Sequence, residues 1–167
     1  DKINLITDEM INAKAALKKE KNERKNLENS FKAYENTLES LTDAILITDP
    51  NGRIQWINSA FTELTGYEAS EVIDKTPEIL QSGKYAPNFY STLWDTIGQG
   101  QRWEGEIIDR RKDGDLYTAT LKILPLYGEN GNLTNFVGIK KVVPGDVNGD
   151  SELRESDRHY RGLFTQM

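Results

Sequence analysis

The fold class this sequence predicts is α+β, with one five-stranded antiparallel sheet, short helices on one face, and a long coiled-coil helix in front. Three observations carry that prediction. Two β-rich runs within residues 105–125 flank Lys112-Asp113-Gly114-Asp115, and Asp-Gly between such runs is a strong hairpin signal. A second signal of the same kind, Asn130-Gly131, lies between the next two runs. Ahead of them, residues 1–42 hold no Pro or Gly and repeat apolar side chains every seven residues.

The repeat is the first element. Ile3, Met10, Leu17, Arg24, Phe31 and Leu38 form one series, and Ile6, Ala13, Glu20, Leu27, Tyr34 and Leu41 another, offset by three. This is the a/d pattern of a coiled coil. Glu20 and Arg24 are its polar positions, and unlike charges there can set register across a dimer while weakening the seam. A lone helix with this seam would expose a long apolar stripe, so the pattern predicts a parallel homodimer through residues 3–41. The competing assignment, an amphipathic helix packed on its own domain, is disfavoured by length.

Strands are expected at 44–49 and 53–58, around the Pro50-Asn51-Gly52 turn. From Ser59 the period becomes helical, with Phe61, Leu64 and Tyr67, then short pieces near 68–73 and 78–80. A longer helix is expected over 87–100, with Phe89, Leu93 and Ile97 on one side and Tyr90 and Trp94 beside them. Pro87 suits its first turn, and Gly98 and Gly100 its end. Strands at 102–111, 116–126 and 133–143 complete the sheet, which presents apolar residues on both faces, Leu121 and Ile123 against Leu124 and Leu126. The layout is therefore a helix at 1–42, a domain at 43–143, a Pro/Gly/Asp-rich linker at 144–150 and a helix at 151–167 leading into a following module.

Composition removes several classes of function. Hydrophobic residues make up 37% and mean hydropathy is −0.65, which leaves part of the length as solvated helix or linker. No run approaches the roughly 18 apolar residues of a membrane span, and no direct membrane contact is expected. Residues 43–143 carry fourteen acidic and ten basic groups within a net charge of −6, with no basic stripe, which argues against nucleic acid as a partner. With no cysteine, disulfides, thiol catalysis and cysteine-held metals are absent, and a reducing cytoplasm is compatible. Beginning at Asp1 and stopping mid-pattern at Met167, the sequence reads as a fragment of a longer protein.

Catalytic constellations are missing. His159 is the sole histidine and lies in the tail among charged residues, without a phosphotransfer motif; Gly-x-Ser-x-Gly, phosphate-loop and dinucleotide patterns do not occur. Asp146, Asn148, Asp150 and Asp157 have calcium-loop spacing, but Ser151 stands where that loop needs Gly, so a linker is preferred. No enzyme activity is expected of the fragment itself. The informative carboxylate is elsewhere. Alternation over 102–111 puts Trp103, Gly105, Ile107 and Asp109 on one face and Glu104, Glu106 and Arg110 on the other. The charged face should meet water, which aims Asp109 inward, where it must be bonded, paired or functional. Its partner would be local backbone or Arg111, or else a ligand.

Asp49-Pro-Asn-Gly-Arg-Ile-Gln-Trp-Ile-Asn58, Phe61-Thr-Glu-Leu-Thr-Gly-Tyr67 and Arg110-Arg-Lys-Asp-Gly114 together resemble the PAS family over roughly 41–143. With Ile79-Leu-Gln-Ser-Gly83, Leu93-Trp94 and Trp103-x-Gly105, the resemblance is to redox-sensing, flavin-binding members. It implies a PAS fold, a sensory and dimerising role, and an output domain in the same chain, of histidine kinase or diguanylate cyclase type. It also implies a cofactor pocket with FAD as a candidate, lined by Trp94, Trp103, Ile107, Asp109 and Lys140. In those relatives the position of Asp109 is usually Asn. Asp lacks the amide's two donors and faces acceptor oxygens poorly. Where the family commonly ends on Asp-Ile-Thr, this chain has Lys140-Lys-Val-Val143 and then Pro-Gly. A ligand-free dimerisation spacer with a filled core is the alternative.

Overall fold

A computed structural model describes residues 2–144. It divides between Ser40 and Leu41 into two compact units, which are taken separately.

The first unit is α1, Lys2–Glu39, a helix of 38 residues, about 57 Å long at roughly 1.5 Å per residue. None of its side chains is buried. Met10, Leu27, Phe31 and Tyr34, all on the predicted seam, are 68–72% exposed. Propensity and i,i+4 contacts such as the 3.9 Å Lys19–Glu23 pair contribute only tenths of a kcal/mol each, and the apolar positions of the seam stand exposed.

The second unit is the predicted α+β domain. Its elements are β1 (Ala44–Thr48), β2 (Ile54–Ile57), α2 (Ser59–Thr65), α3 (Ala69–Val72), a 3₁₀ turn (Pro77–Leu80), α4 (Pro87–Gly98), β3 (Trp103–Arg110), β4 (Leu116–Tyr127) and β5 (Leu133–Val142). All strand pairs are antiparallel, in the order β2-β1-β5-β4-β3. The Asp-Gly turn sets Asp109 opposite Tyr117, and the Asn-Gly turn sets Leu121 opposite Lys140. β5 therefore lies at the centre, between the first strand and the two long hairpin strands.

Asn58 fastens the first half. It is 1% exposed and caps α2, its Oδ1 accepting from the Phe61 N–H at 3.0 Å and the Ile45 N–H at 2.8 Å. Its Nδ2 donates to the Asp43 carbonyl at 3.0 Å, so one side chain ties β1, β2 and α2 together. Above this lies one apolar cluster containing Leu46, Ile54, Phe61, Val72 and Leu80. A second cluster, with Leu93, Ile97, Trp103, Ile107, Leu121 and Phe136, joins α4 to the sheet. On the other sheet face Leu124 is half-buried and Leu126 is 43% exposed.

α4 ends at Gly98, two residues before the expected end, because Gly100 takes φ +78°, outside helical space. The expected linker beyond Pro144, the calcium-type loop, His159 and the helix at 151–167 lie outside the described residues.

Candidate functional site

Between α4 and the inner face of the sheet is a cavity of about 80 Å³. Its walls are mostly apolar, from Leu93, Trp94 and Ile97 on the helix and Ile107, Leu121 and Phe136 on the strands. Trp94 reaches from this wall to the β1–β2 turn. A Cβ on Gly52, which holds φ +82°, would lie 2.4 Å from the Trp94 ring, so the ring rests on that glycine's backbone.

One part of the wall is polar. Asp109 faces inward, as alternation requires, and is 2% exposed; Lys140 is 4% exposed. Their side chains form a buried ion pair. The partner is thus not Arg111, whose guanidinium donates to the Leu64 carbonyl and lies 4.8 Å over the Tyr117 ring. Lys140 reaches Asp109 across β4, so the pair fastens β3 directly to β5. Ions this deep must be paired, since losing either partner strands the other charge out of water.

Two phenols stand beside the carboxylate. Tyr90 lines the cavity from α4, and Tyr117 lies opposite Asp109 in the hairpin. Both hydroxyls are buried without a hydrogen-bond partner. Burial first, and then the Asp109 charge, push both phenol pKa values above the ordinary range, so both hydroxyls remain protonated donors. Tyr85, by contrast, is engaged, its hydroxyl accepting from the Ile108 N–H at 2.8 Å.

Of the five residues expected at the pocket, Trp94, Ile107, Asp109 and Lys140 line it together. Trp103 does not. It shares the face of Asp109 but sits at the far end of β3, buried edge-on against Phe89 at 6.1 Å. Alternation assigns a face, not a position along the strand, which is why the sequence placed Trp103 in the wall. Tyr90 and Tyr117 were missed as site residues. Counting back from the Asp-Gly turn would have set Tyr117 against Asp109.

The cavity as it stands is small for the flavin that the resemblance implied. Pockets for cofactors of that size are typically about 300–1,000 Å³, and this one is about 80 Å³. Asp109 and Lys140, the groups suited to a ring edge, are bonded to each other. Among the described residues no group of three His, Cys, Asp or Glu side chains could hold a metal ion, and no helix is long and apolar enough to cross a membrane.

Comparison with known proteins agrees with this architecture. Residues 32–143 match the family described as the PAS fold. A nitrogen fixation regulatory protein of Klebsiella oxytoca is 29% identical over 117 residues, 70% of this chain and 24% of that protein. The human high-affinity cAMP-specific and IBMX-insensitive phosphodiesterase 8A is 32% identical over 124 residues, 73% of this chain and 15% of that protein. The chain therefore spans a quarter or less of these curated relatives. The solved PAS domain of a protein from Colwellia psychrerythraea superposes with a TM-score of 0.58 at 26% identity, covering 68% of this chain and 96% of that one. With the match over 32–143 and the five-stranded antiparallel sheet of the domain, the chain belongs to the PAS family, the sensory domains of regulatory and signalling proteins.

Proposed function

We propose that this PAS domain is the sensory module of a larger cytoplasmic signalling protein, and that it works as a parallel homodimer paired through α1. A small ligand in the core, held among Trp94, Ile107, Asp109 and Lys140 with Trp103 as buried support, shifts the sheet. The flanking helices relay that shift to an output domain of histidine kinase or diguanylate cyclase type, attached beyond the 144–150 linker. No catalytic role is assigned to the fragment.

One observation carries this reading: a cavity of about 80 Å³ lies against the ion pair that ties β3 to β5. β1 pairs with β5 along the whole of β1, Ala44 opposite Lys140 and Thr48 opposite Phe136, and it begins a few residues after α1 ends at Glu39. A change at Asp109–Lys140 therefore has a hydrogen-bonded route to the chain segment that enters α1. A ligand-free spacer has no use for such a cavity and would fill it.

Oxidative cross-linking tests the pairing. The chain has no cysteine, so Ala13→Cys supplies a single thiol at a d position. A parallel coil sets the two thiols face to face, and a covalent dimer should form rapidly at tens of micromolar. Leu27→Asp in the same chain should abolish it, since Leu27 is 72% exposed and its loss leaves the domain folded. A monomer by light scattering, or cross-linking that survives Leu27→Asp, would rule out pairing through α1.

A further inference from the structure

We infer that the core cavity takes a small, neutral, single-ring compound carrying a hydrogen-bond acceptor, with the Tyr90 hydroxyl as its anchor. The inference rests on the sensory assignment above and names the ligand class for that site.

Size comes first. The cavity offers about 80 Å³, and a single water needs at least roughly 10–15 Å³ on the same measure. The space has room for several waters, enough for one six-membered ring with a short substituent and too small for a fused tricycle. Shape follows from the walls, because Trp94 and Phe136 present rings, and Leu93, Ile97, Leu121 and Ile107 present branched carbons.

Charge follows from the ion pair, the third charged residue of the lining, Glu78, being exposed to solvent. Asp109 and Lys140 neutralise one another inside the wall, each 4% exposed or less. An anionic ligand could bind Lys140 only by leaving the Asp109 carboxylate buried and unpaired, and a cationic one would strand Lys140 in the same way. A neutral ligand can press against the pair and shift it without stranding either charge.

The unpartnered polar group decides the substituent. Thr48, Glu78, Gln81 and Tyr90 also line the cavity, and of these only the Tyr90 hydroxyl is buried with no partner. An unmade hydrogen bond at a buried donor costs more than a made one contributes. A ligand acceptor placed there, such as a carbonyl oxygen, removes that cost and fixes the ring's orientation. The hydroxyl stays protonated through the physiological range, burial and the nearby Asp109 charge both opposing its ionisation.

Titration of the full chain with four ring compounds of nearly equal size tests this, with benzamide as the neutral acceptor, benzene as the ring alone, benzoate as the anion and benzylammonium as the cation. The Trp94 indole N–H signal in protein NMR reports on the cavity, and Trp56, outside the wall, is the control. Benzamide should saturate with a dissociation constant on the order of 0.1–1 mM, moving Trp94 and leaving Trp56 in place. Benzene should bind more weakly, and the two ions at least about tenfold more weakly than benzamide. Tyr90→Phe should weaken benzamide about fivefold, one hydrogen bond's worth, and leave benzene within about twofold. The wild-type series decides the charge and acceptor claims even if that variant folds poorly. Benzoate or benzylammonium binding as tightly as benzamide, equal losses for benzene and benzamide in Tyr90→Phe, or no saturable Trp94 shift would each overturn the assignment. If benzamide binds as stated while Ala13→Cys cross-linking fails, the ligand class stands and the dimeric relay falls. If the cross-link forms and no ring binds, the reverse holds.

Discussion

Lys140→Met isolates the energetics of the core. Methionine keeps most of the lysine's length and apolar volume and removes the charge. Asp109 is then a carboxylate at 2% exposure without the cation it pairs with. Breaking a buried pair in this way costs about 3–5 kcal/mol, roughly a fifth or more of a typical domain's stability of about 5–15 kcal/mol. For a domain of this size, melting should fall by more than about 10 °C. Asp109→Leu combined with Lys140→Met removes both charges, and its cost should be smaller than that of Lys140→Met alone, because no ion is left stranded. Urea unfolding of wild type, both single variants and the double variant, followed by circular dichroism and tryptophan fluorescence, closes the cycle. Costs that simply add, or a Lys140→Met loss below about 1 kcal/mol, would refute the argument.

Other consequences are equally concrete. Gly52→Ala forces an L side chain into φ +82° and drives a methyl to 2.4 Å from the Trp94 ring; a loss of about 2–3 kcal/mol is expected with a shift in Trp94 emission, and an unchanged emission would contradict the contact. Asn58→Ala removes the cap of α2 and leaves the Ile45 N–H without its acceptor; about 2–4 kcal/mol should be lost in thermal unfolding. Tyr90 and Tyr117 have folded-state pKa values raised above the phenol value of 10.0, so their contribution to stability is complete below pH 10 and is lost as pH rises through the folded values. Absorbance titration at 295 nm should show these two of the seven tyrosines ionising late, together with unfolding; seven tyrosines titrating together near pH 10 in a folded protein would oppose this. Purified protein should show no visible flavin bands and take up no added FAD, a result that absorbance and mass spectrometry of a denatured extract can decide.

How far the sequence reached depended on what kind of information each feature needs. Turn chemistry and alternation are local, and they located all five strands, the 87–100 helix within two residues, and the inward aim of Asp109. What Asp109 meets is not local. Lys140 sits two strands away, with β4 between, and only the order β5-β4-β3 brings the two charges together; short-range reasoning therefore turned to Arg111 and nearby backbone groups. Trp103 failed in the opposite sense: its face was right, but its place along β3 put it against Phe89 rather than the cavity. Tyr90 was visible only as a residue beside the apolar stripe of α4. Its significance depends on the unpartnered hydroxyl, which no periodicity encodes. The flavin expectation came from resemblance alone, and the volume between α4 and the sheet opposes it.

Hydrogen exchange of the full chain, with and without saturating benzamide and read by mass spectrometry, tests most directly whether the core is connected to the helix. Slower exchange is expected in α4, β3 and β5 around the cavity, and with it a change in β1 and in α1. Slowing confined to α4 and the cavity strands, with β1 and α1 exchanging as before, would contradict it.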